Sequence, residues 1–230
     1  MDKRNVIFQL DIGHQPEYKP AIDSVRNYCN KYGIEHVISD AIRIKAFNFY
    51  FEKMQIYFLT DFFNQALYLD ADVLVTPNAP NIFEVYNDPY TFYAYHESAP
   101  TPTMDRNPVV EKIISNTEKE WPRDSNGQYQ YFNAGIFLTS KQTALVPGNL
   151  PVQNPAIFEF GDQTALNFLV VDKGFAFQSL DYKWNRMHLG QPDPEGKRFE
   201  AFFIHYAGPD VYGSGNKAQI IADDYKRLYD

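Results

Sequence analysis

The 230-residue chain has a single cysteine, Cys29, which excludes an internal disulfide and fits a reducing compartment. Cys29 falls in an amphipathic stretch, where a buried structural thiol is the ordinary role. No apolar run approaches the ~18 residues that a membrane-spanning helix needs, so no transmembrane segment is expected. The first apolar run, residues 6–10, is cut short by Asp11 and Gly13, too soon for a secretion signal. A cytoplasmic location is therefore expected. No basic face or block of like charge appears, and the net charge is −8, which argues against binding to nucleic acid or an anionic membrane surface. Repeats, low-complexity tracts and dividing linkers are also missing, so residues 1–230 read as one domain. A homodimer stays open.

What the chain does have is apolar and aromatic mass. Hydrophobic residues make up 44% and aromatic residues 17%, enough for a sizeable core and too much for global disorder. The organising stretch is Gln65-Ala66-Leu67-Tyr68-Leu69-Asp70-Ala71-Asp72-Val73-Leu74-Val75. Its apolar run predicts a fully buried strand. Two unpaired carboxylates inside such a strand would cost several kcal/mol, so the strand is expected to end at the aspartates. That places them at its carboxyl end, where ligands of open α/β sheets bind. In an extended chain Asp70 and Asp72 would point the same way, about 7 Å apart at Cα. Two oxygen donors on one face suit a hard divalent cation that also holds a phosphate. Alone, the tripeptide is equally what a solvated turn looks like.

In chain order, residues 5–11 read as a first strand, and helical periodicity over residues 19–32 places Ala21, Ile22, Val25, Tyr28 and Cys29 on one face. Gly33 suits a C-cap, and residues 35–39 form a second strand. This β-α-β opening implies a right-handed crossover and a parallel sheet. Asp11, at the end of the first strand, is within a nucleotide's reach; capping a loop is its other reading. Residues 46–63 predict a helix burying Phe47, Tyr50, Phe51, Met54, Tyr57, Phe58 and Phe62, with Lys53 off that stripe and solvated by default. Further on come a short helix at 82–86, a strand at 90–95, and a polar insertion, 98–130, that is a candidate lid or acceptor-binding region. Residues 131–138 form a buried strand interrupted by Asn133 and Gly135, and glycine there marks a close approach. Residues 147–155 are a proline-rich loop. Asp162 is a candidate N-cap for a helix reaching about residue 171, which leaves Gln163 unexplained. A short strand covers residues 175–177. The last strand ends on His205, followed by a Gly-rich stretch and an amphipathic helix from about Lys217. Trp121, Tyr129 and Trp184 are candidate sugar-stacking residues, with packing as their ordinary role.

Four blocks together carry a resemblance. Leu67-Tyr68-Leu69-Asp70-Ala71-Asp72-Val73-Leu74-Val75, Tyr131-Phe132-Asn133-Ala134-Gly135, Asp162-Gln163 with Leu166-Asn167, and Ile204-His205-Tyr206-Ala207-Gly208 resemble, in order, the motifs of glycosyltransferase family 8. The resemblance covers residues 50–210. It implies the GT-A nucleotide-diphospho-sugar fold, an α/β architecture with a Rossmann-like, mostly parallel central sheet flanked by helices. It implies Mn²⁺ or Mg²⁺ on Asp70, Asp72 and His205, with a UDP-sugar as donor. Asp11, Asp70, Asn133, Gly135, Gly208 and Lys217 would bind that donor. Lys53 would contact its diphosphate or sugar, Asp162 its sugar hydroxyls, and Gln163 would lie beneath the anomeric carbon. Family members usually continue past the late glycine with Lys-Pro-Trp, whose lysine meets the β-phosphate. Here the next lysine is Lys217, which either reaches back or leaves that cation missing.

The implied activity is metal-dependent transfer of a hexose from a nucleotide sugar to a glycan, protein or small-molecule acceptor, with retention at the anomeric carbon. A divalent ion would stabilise the departing nucleoside diphosphate. A nucleotidyltransferase is the competing enzyme class, but its usual basic Gly-rich loop is absent from Asp11-Ile12-Gly13-His14-Gln15. A third reading is a sugar- or nucleotide-binding relic with dead chemistry. The intact Asp pair, Gln163 and His205 argue against it, and the missing Lys-Pro-Trp keeps it open.

Overall fold

Alternating burial builds the centre of the molecule. In the computed structural model, which describes residues 4–44, 49–97, 105–144, 161–187, 193, 196–208 and 216–230, the first strand β1 (Val6–Leu10) sends Val6 and Phe8 to one face and Ile7 to the other. The third strand does the same with Ala66 and Tyr68 against Leu67 and Leu69. A sheet buried on both faces needs this continuous apolar sequence. The order of elements is β1, α1 (Lys19–Tyr32), β2 (Glu35–Ser39), a 3₁₀ segment (Phe49–Phe58), β3 (Gln65–Leu69), β4 (Val73–Val75), α2 (Ile82–Val85), β5 (Thr91–His96), α3 (Asn107–Thr117), β6 (Phe132–Ser140), α4 (Asp162–Lys173), β7 (Ala176–Ser179), β8 (Arg186–Met187), β9 (Phe203–His205) and α5 (Lys217–Tyr229).

Six strands form the main sheet in the order β2-β1-β3-β6-β5-β7, with β6 antiparallel to both its neighbours and the rest aligned. The sheet is thus mostly parallel, as expected. One face is covered by the 3₁₀ segment, α3 and α4, and the other by α1 and a second, three-stranded sheet, β4-β9-β8. A third cluster, with Ala21, Leu74, Ile204, Tyr206 and Ile221, seats α5 against α1 and the small sheet. No helix among the described residues is long and apolar enough to cross a membrane.

Helix α1 meets its expected bounds: its five named apolar residues are buried, and Gly33 caps it in the left-handed region at φ 64°. The segment after β2 does not meet expectation. Phe47 lies outside the described residues, and residues 49–58 are 3₁₀ rather than α-helical. A period of three stacks Phe51, Met54 and Tyr57 inward and turns Tyr50 and Phe58 to solvent, and Phe62, in the turn that follows, is exposed as well. Polar Glu52, Lys53 and Gln55 are buried in their stead. The Glu52 carboxylate accepts the Arg43 and Ile44 N–H groups at 2.7 and 2.9 Å, which offsets its desolvation. In the 98–130 insertion, residues 98–104 lie outside the described residues, while α3 packs Val109, Val110 and Ile113 into the main core. The proline-rich loop at 147–155 and the Gly-rich stretch at 209–215 also lie outside them.

Leu67 is fully buried in β3, whereas Phe62 is 73% exposed. Leu67→Ala is expected to cost about 2–5 kcal/mol. Phe62→Ala should stay within about 0.5 kcal/mol. Urea unfolding of the two variants checks both values.

Candidate active site

The site begins where the chain changes sheets. β3 ends at Leu69, the backbone turns through Asp70, Ala71 and Asp72, and β4 starts in the small sheet. Val73 N–H donates to the Asp70 carbonyl at 3.2 Å, so this stretch is a turn and not the extended segment expected from alternation. The turn, rather than the pleat, brings the two carboxylates together. Asp70 N–H donates to Gly135 O on β6 at 2.8 Å, and Tyr206 N–H donates to Asp72 O at 3.1 Å. Antiparallel pairing of β4 with β9 sets Val73 opposite His205.

His205 Nε2 consequently lies 3.8 Å from Asp70 Oδ2 and 3.5 Å from Asp72 Oδ1. One ligand atom from each of the three residues falls within 4.8 Å of the others. Asp72 Oδ1 is buried and has no hydrogen-bond partner. A buried carboxylate oxygen is rarely left so, and a cation bound there would satisfy it. The imidazole tautomer follows from a chain of donors. Gly135 N–H donates to Asn133 Oδ1, which obliges Asn185 to present its NH₂ to the same oxygen, at 3.0 Å. Asn185 Oδ1 then faces His205 Nδ1 at 2.9 Å and accepts its proton, leaving the Nε2 lone pair towards the aspartates. Two carboxylates and a neutral imidazole fit a divalent cation. Burial opposes the charge on Asp72, but His205 and the Lys217 ammonium outweigh it and lower the carboxyl pKa to about 2.

Gly135 is required by this arrangement. A Cβ there would sit 2.6 Å from Asp70 Oδ2 and 2.8 Å from His205 Nε2. The close approach foreseen at this glycine is made by the Asp70 and His205 side chains.

Lys53 is buried, not solvated. Its Nζ lies 2.7 Å from Asp162 Oδ2 and 3.6 Å from Asp70 Oδ1, donates to Ala134 O at 3.1 Å, and stands over the Tyr68 ring. Burial alone would lower its pKa, but the aspartates overcome this and raise it, so the ammonium stays charged. Asp162 does not cap α4: Gly161 is the N-cap, and the Asp162 side chain is turned to Lys53 instead. Gln163, one residue on, has both amide ends engaged. Oε1 accepts from Asn133 Nδ2 and Ala134 N–H at 3.2 Å each, and Nε2 donates to Glu97 Oε2 at 3.2 Å.

The eleven residues assigned from the sequence to a metal, the donor or catalysis all line or floor one cleft of about 800 Å³: Asp11, Lys53, Asp70, Asp72, Asn133, Gly135, Asp162, Gln163, His205, Gly208 and Lys217; the candidate stacking residues Trp121, Tyr129 and Trp184 do not. Lys217 does reach back, its Nζ 2.5 Å from Asp72 Oδ2 and 3.3 Å from Gly208 O. Burial works against its charge, yet Asp72 raises its pKa overall. Trp121 and Trp184 are buried in packing, and Tyr129 is half-buried with the Arg123 guanidinium stacked on it. Sequence reasoning missed Glu97, Arg106, Asn185 and Tyr68. Glu97 is 2% exposed, takes Arg106 Nε at 2.6 Å and supports Asn133 and Gln163 from behind. Tyr68 donates its hydroxyl to Asp70 Oδ1 at 2.6 Å. A polar residue at the end of an apolar strand was the one signal for Glu97; Asn185 carried none.

A mostly parallel sheet with an Asp-x-Asp turn at its rim and a histidine brought in from a second small sheet defines a GT-A glycosyltransferase. Solved structures similar to the chain have that fold. One is a glycosyltransferase involved in glycosylation of the major capsid of PBCV-1, at 14% identity and TM-score 0.63 over 98% of this chain and 100% of that one. Another is the galactosyltransferase LgtC with donor and acceptor sugar analogs, at 15% identity and TM-score 0.62 over 98% and 96%. A third is GlyE of Streptococcus pneumoniae TIGR4, at 17% identity and TM-score 0.54 over 99% and 64%. The chain belongs to glycosyl transferase family 8, whose sequence model matches residues 47–210. No curated protein matches it in sequence.

Gly135→Ala forces the His205 ring or the Asp70 carboxylate out of place. The expected outcome is a stability loss of about 1–3 kcal/mol, read by urea unfolding. Parent-like stability would contradict the close packing of Gly135 against Asp70 and His205.

Proposed function

We propose that the protein transfers a hexose from a UDP-sugar to an acceptor hydroxyl, with a divalent cation, Mn²⁺ or Mg²⁺, and with retention at the anomeric carbon. The reading rests on one observation: a converging Asp70, Asp72 and His205 set, with the orphaned Asp72 Oδ1, at the floor of a cleft large enough for a nucleotide sugar. These three residues would hold the ion, which supplies Lewis-acid stabilisation of the departing diphosphate. Asp11 lines the cleft beyond the end of β1, on the side where the nucleoside would bind.

The chain's own groups suit this chemistry. Lys53 is committed to Asp162, Ala134 and Asp70, which favours orienting those carboxylates over direct contact with the diphosphate. Asp162, held by Lys53, presents its remaining acceptor capacity to donor-sugar hydroxyls. Gln163 and Asn133 form the floor under the sugar. Both amide ends of Gln163 are taken up by protein partners, which leaves it poorly placed to act as a nucleophile. The nearby carboxylates Asp162 and Glu97 are each paired with a cation, Lys53 and Arg106. This supports front-face attack, in which the leaving phosphate oxygen takes the acceptor proton. The acceptor enters from the open side of the cleft, and residues 98–130 are proposed to contribute to its binding.

Calorimetry of UDP binding with and without Mn²⁺, on the parent and on Asp72→Asn, tests the reading. Binding should require Mn²⁺ in the parent and weaken by at least about tenfold in the variant, as befits loss of a ligand carboxylate. Metal-independent binding, or none, would overturn it.

A further inference from the structure

Asp72 has two carboxylate oxygens in different circumstances. Oδ2 is held by Lys217 Nζ at 2.5 Å. Oδ1 is buried, without a hydrogen bond, and faces His205 Nε2 at 3.5 Å. The same carboxylate thus carries a tethered ammonium on one oxygen and a buried, unpartnered oxygen on the other. An ammonium and a divalent ion within a few ångströms of one another repel strongly where water is scarce.

Lys217 is built to move while its anchor stays. It is the first residue of α5, and Asn216 caps that helix by accepting the Gln219 N–H. The helix is tied down by Arg198, which grips Asp224 at 2.6 and 2.8 Å, by Tyr206 O–H to Asp224 at 2.7 Å, and by Tyr229 O–H to Val75 O at 2.7 Å. From this fixed base a four-carbon stem carries the ammonium to the cleft, where it stands over the Tyr18 ring, 5.5 Å from its centroid. Its side chain is 19% exposed, against 5% for Lys53, which is locked between Asp162 and Ala134. Of these two cleft cations, Lys217 is the one with room to change partners.

We infer that Lys217 is an exchangeable counter-ion: it pairs with Asp72 before cation and nucleotide bind, and transfers to the diphosphate when the two enter together. The inference rests on the metal-dependent reading above. Its physical content is a linkage. Before the nucleotide arrives, Lys217 competes with the ion for Asp72, so the ion alone binds weakly. A diphosphate gives the ammonium somewhere better to go, which frees the carboxylate for the ion.

The competition predicts effects of opposite sign from one substitution. Removing the charge in Lys217→Gln should tighten Mn²⁺ binding, measured without nucleotide by electron paramagnetic resonance of free Mn²⁺, by about tenfold. The same variant should bind UDP about tenfold more weakly at saturating Mn²⁺, as for a lost charge-assisted hydrogen bond. Lys217→Arg, which keeps the charge, should leave Mn²⁺ affinity within about twofold of the parent, since the competing cation remains. Unchanged Mn²⁺ affinity in Lys217→Gln would make Lys217 an ordinary phosphate contact and overturn the exchange. Weaker binding of both ligands would make its role structural, with the same consequence. If neither the parent nor Lys217→Gln binds Mn²⁺, the metal-dependent reading itself fails and takes this one with it.

Discussion

Three backbone hydrogen bonds at the rim of the main sheet determine everything built upon it. Asp70 N–H to Gly135 O ties the turn to β6, Val73 N–H to Asp70 O closes it, and Tyr206 N–H to Asp72 O ties it to the strand of His205. A chain leaving one sheet for another must turn sharply, and here the turning residues are the two aspartates. Because the turn is held from both sheets, two carboxylates and an imidazole from distant parts of the sequence are placed before any ligand arrives. Preorganised placement of this kind is what charge stabilisation in a cleft requires.

The second dependency is a buried polar network. Gly135, Asn133, Asn185 and His205 form one donor-to-acceptor chain, and Arg106, Glu97 and Gln163 join it at Asn133. Buried polar groups are costly when partly satisfied and rigid when fully satisfied. Each member here has its partners, with the exception of Asp72 Oδ1 at the end of the line. The network therefore directs its one deficit into the cleft, where a cation can make it good. It also explains why Asn133 and Gln163 stand in an otherwise apolar strand and helix start.

Much of this was legible beforehand. The buried run into Asp70, the interruption at Asn133 and Gly135, and the placement of His205 at a strand end all follow from apolar patterning broken by polar residues, which is a local signal. Lys53 was misread as solvated because a period of 3.6 leaves it off the aromatic stripe. The 3₁₀ turn has a different period, and its burial of Lys53, Glu52 and Gln55 depends on partners at Asp162, Arg43 and Ala41 that no local pattern reveals. Asp162 looked like a cap since aspartate at a helix start usually is one; the lysine across the cleft claimed it instead. Glu97 and Asn185 do their work through contacts 36 and 20 residues away, so nothing near them in the chain announced it.

The sequence by itself determined where strands end and which polar residues stand at those ends, because the cost of burying charge acts residue by residue along the chain. It determined too that a pair of carboxylates follows directly on a buried strand. The tertiary structure alone decided that Asp70 and Asp72 converge through a turn, that Asn185 sets the histidine tautomer, and that Lys217 rests on Asp72. Those facts depend on distances between elements, which arise only when the sheets pair and the helices pack.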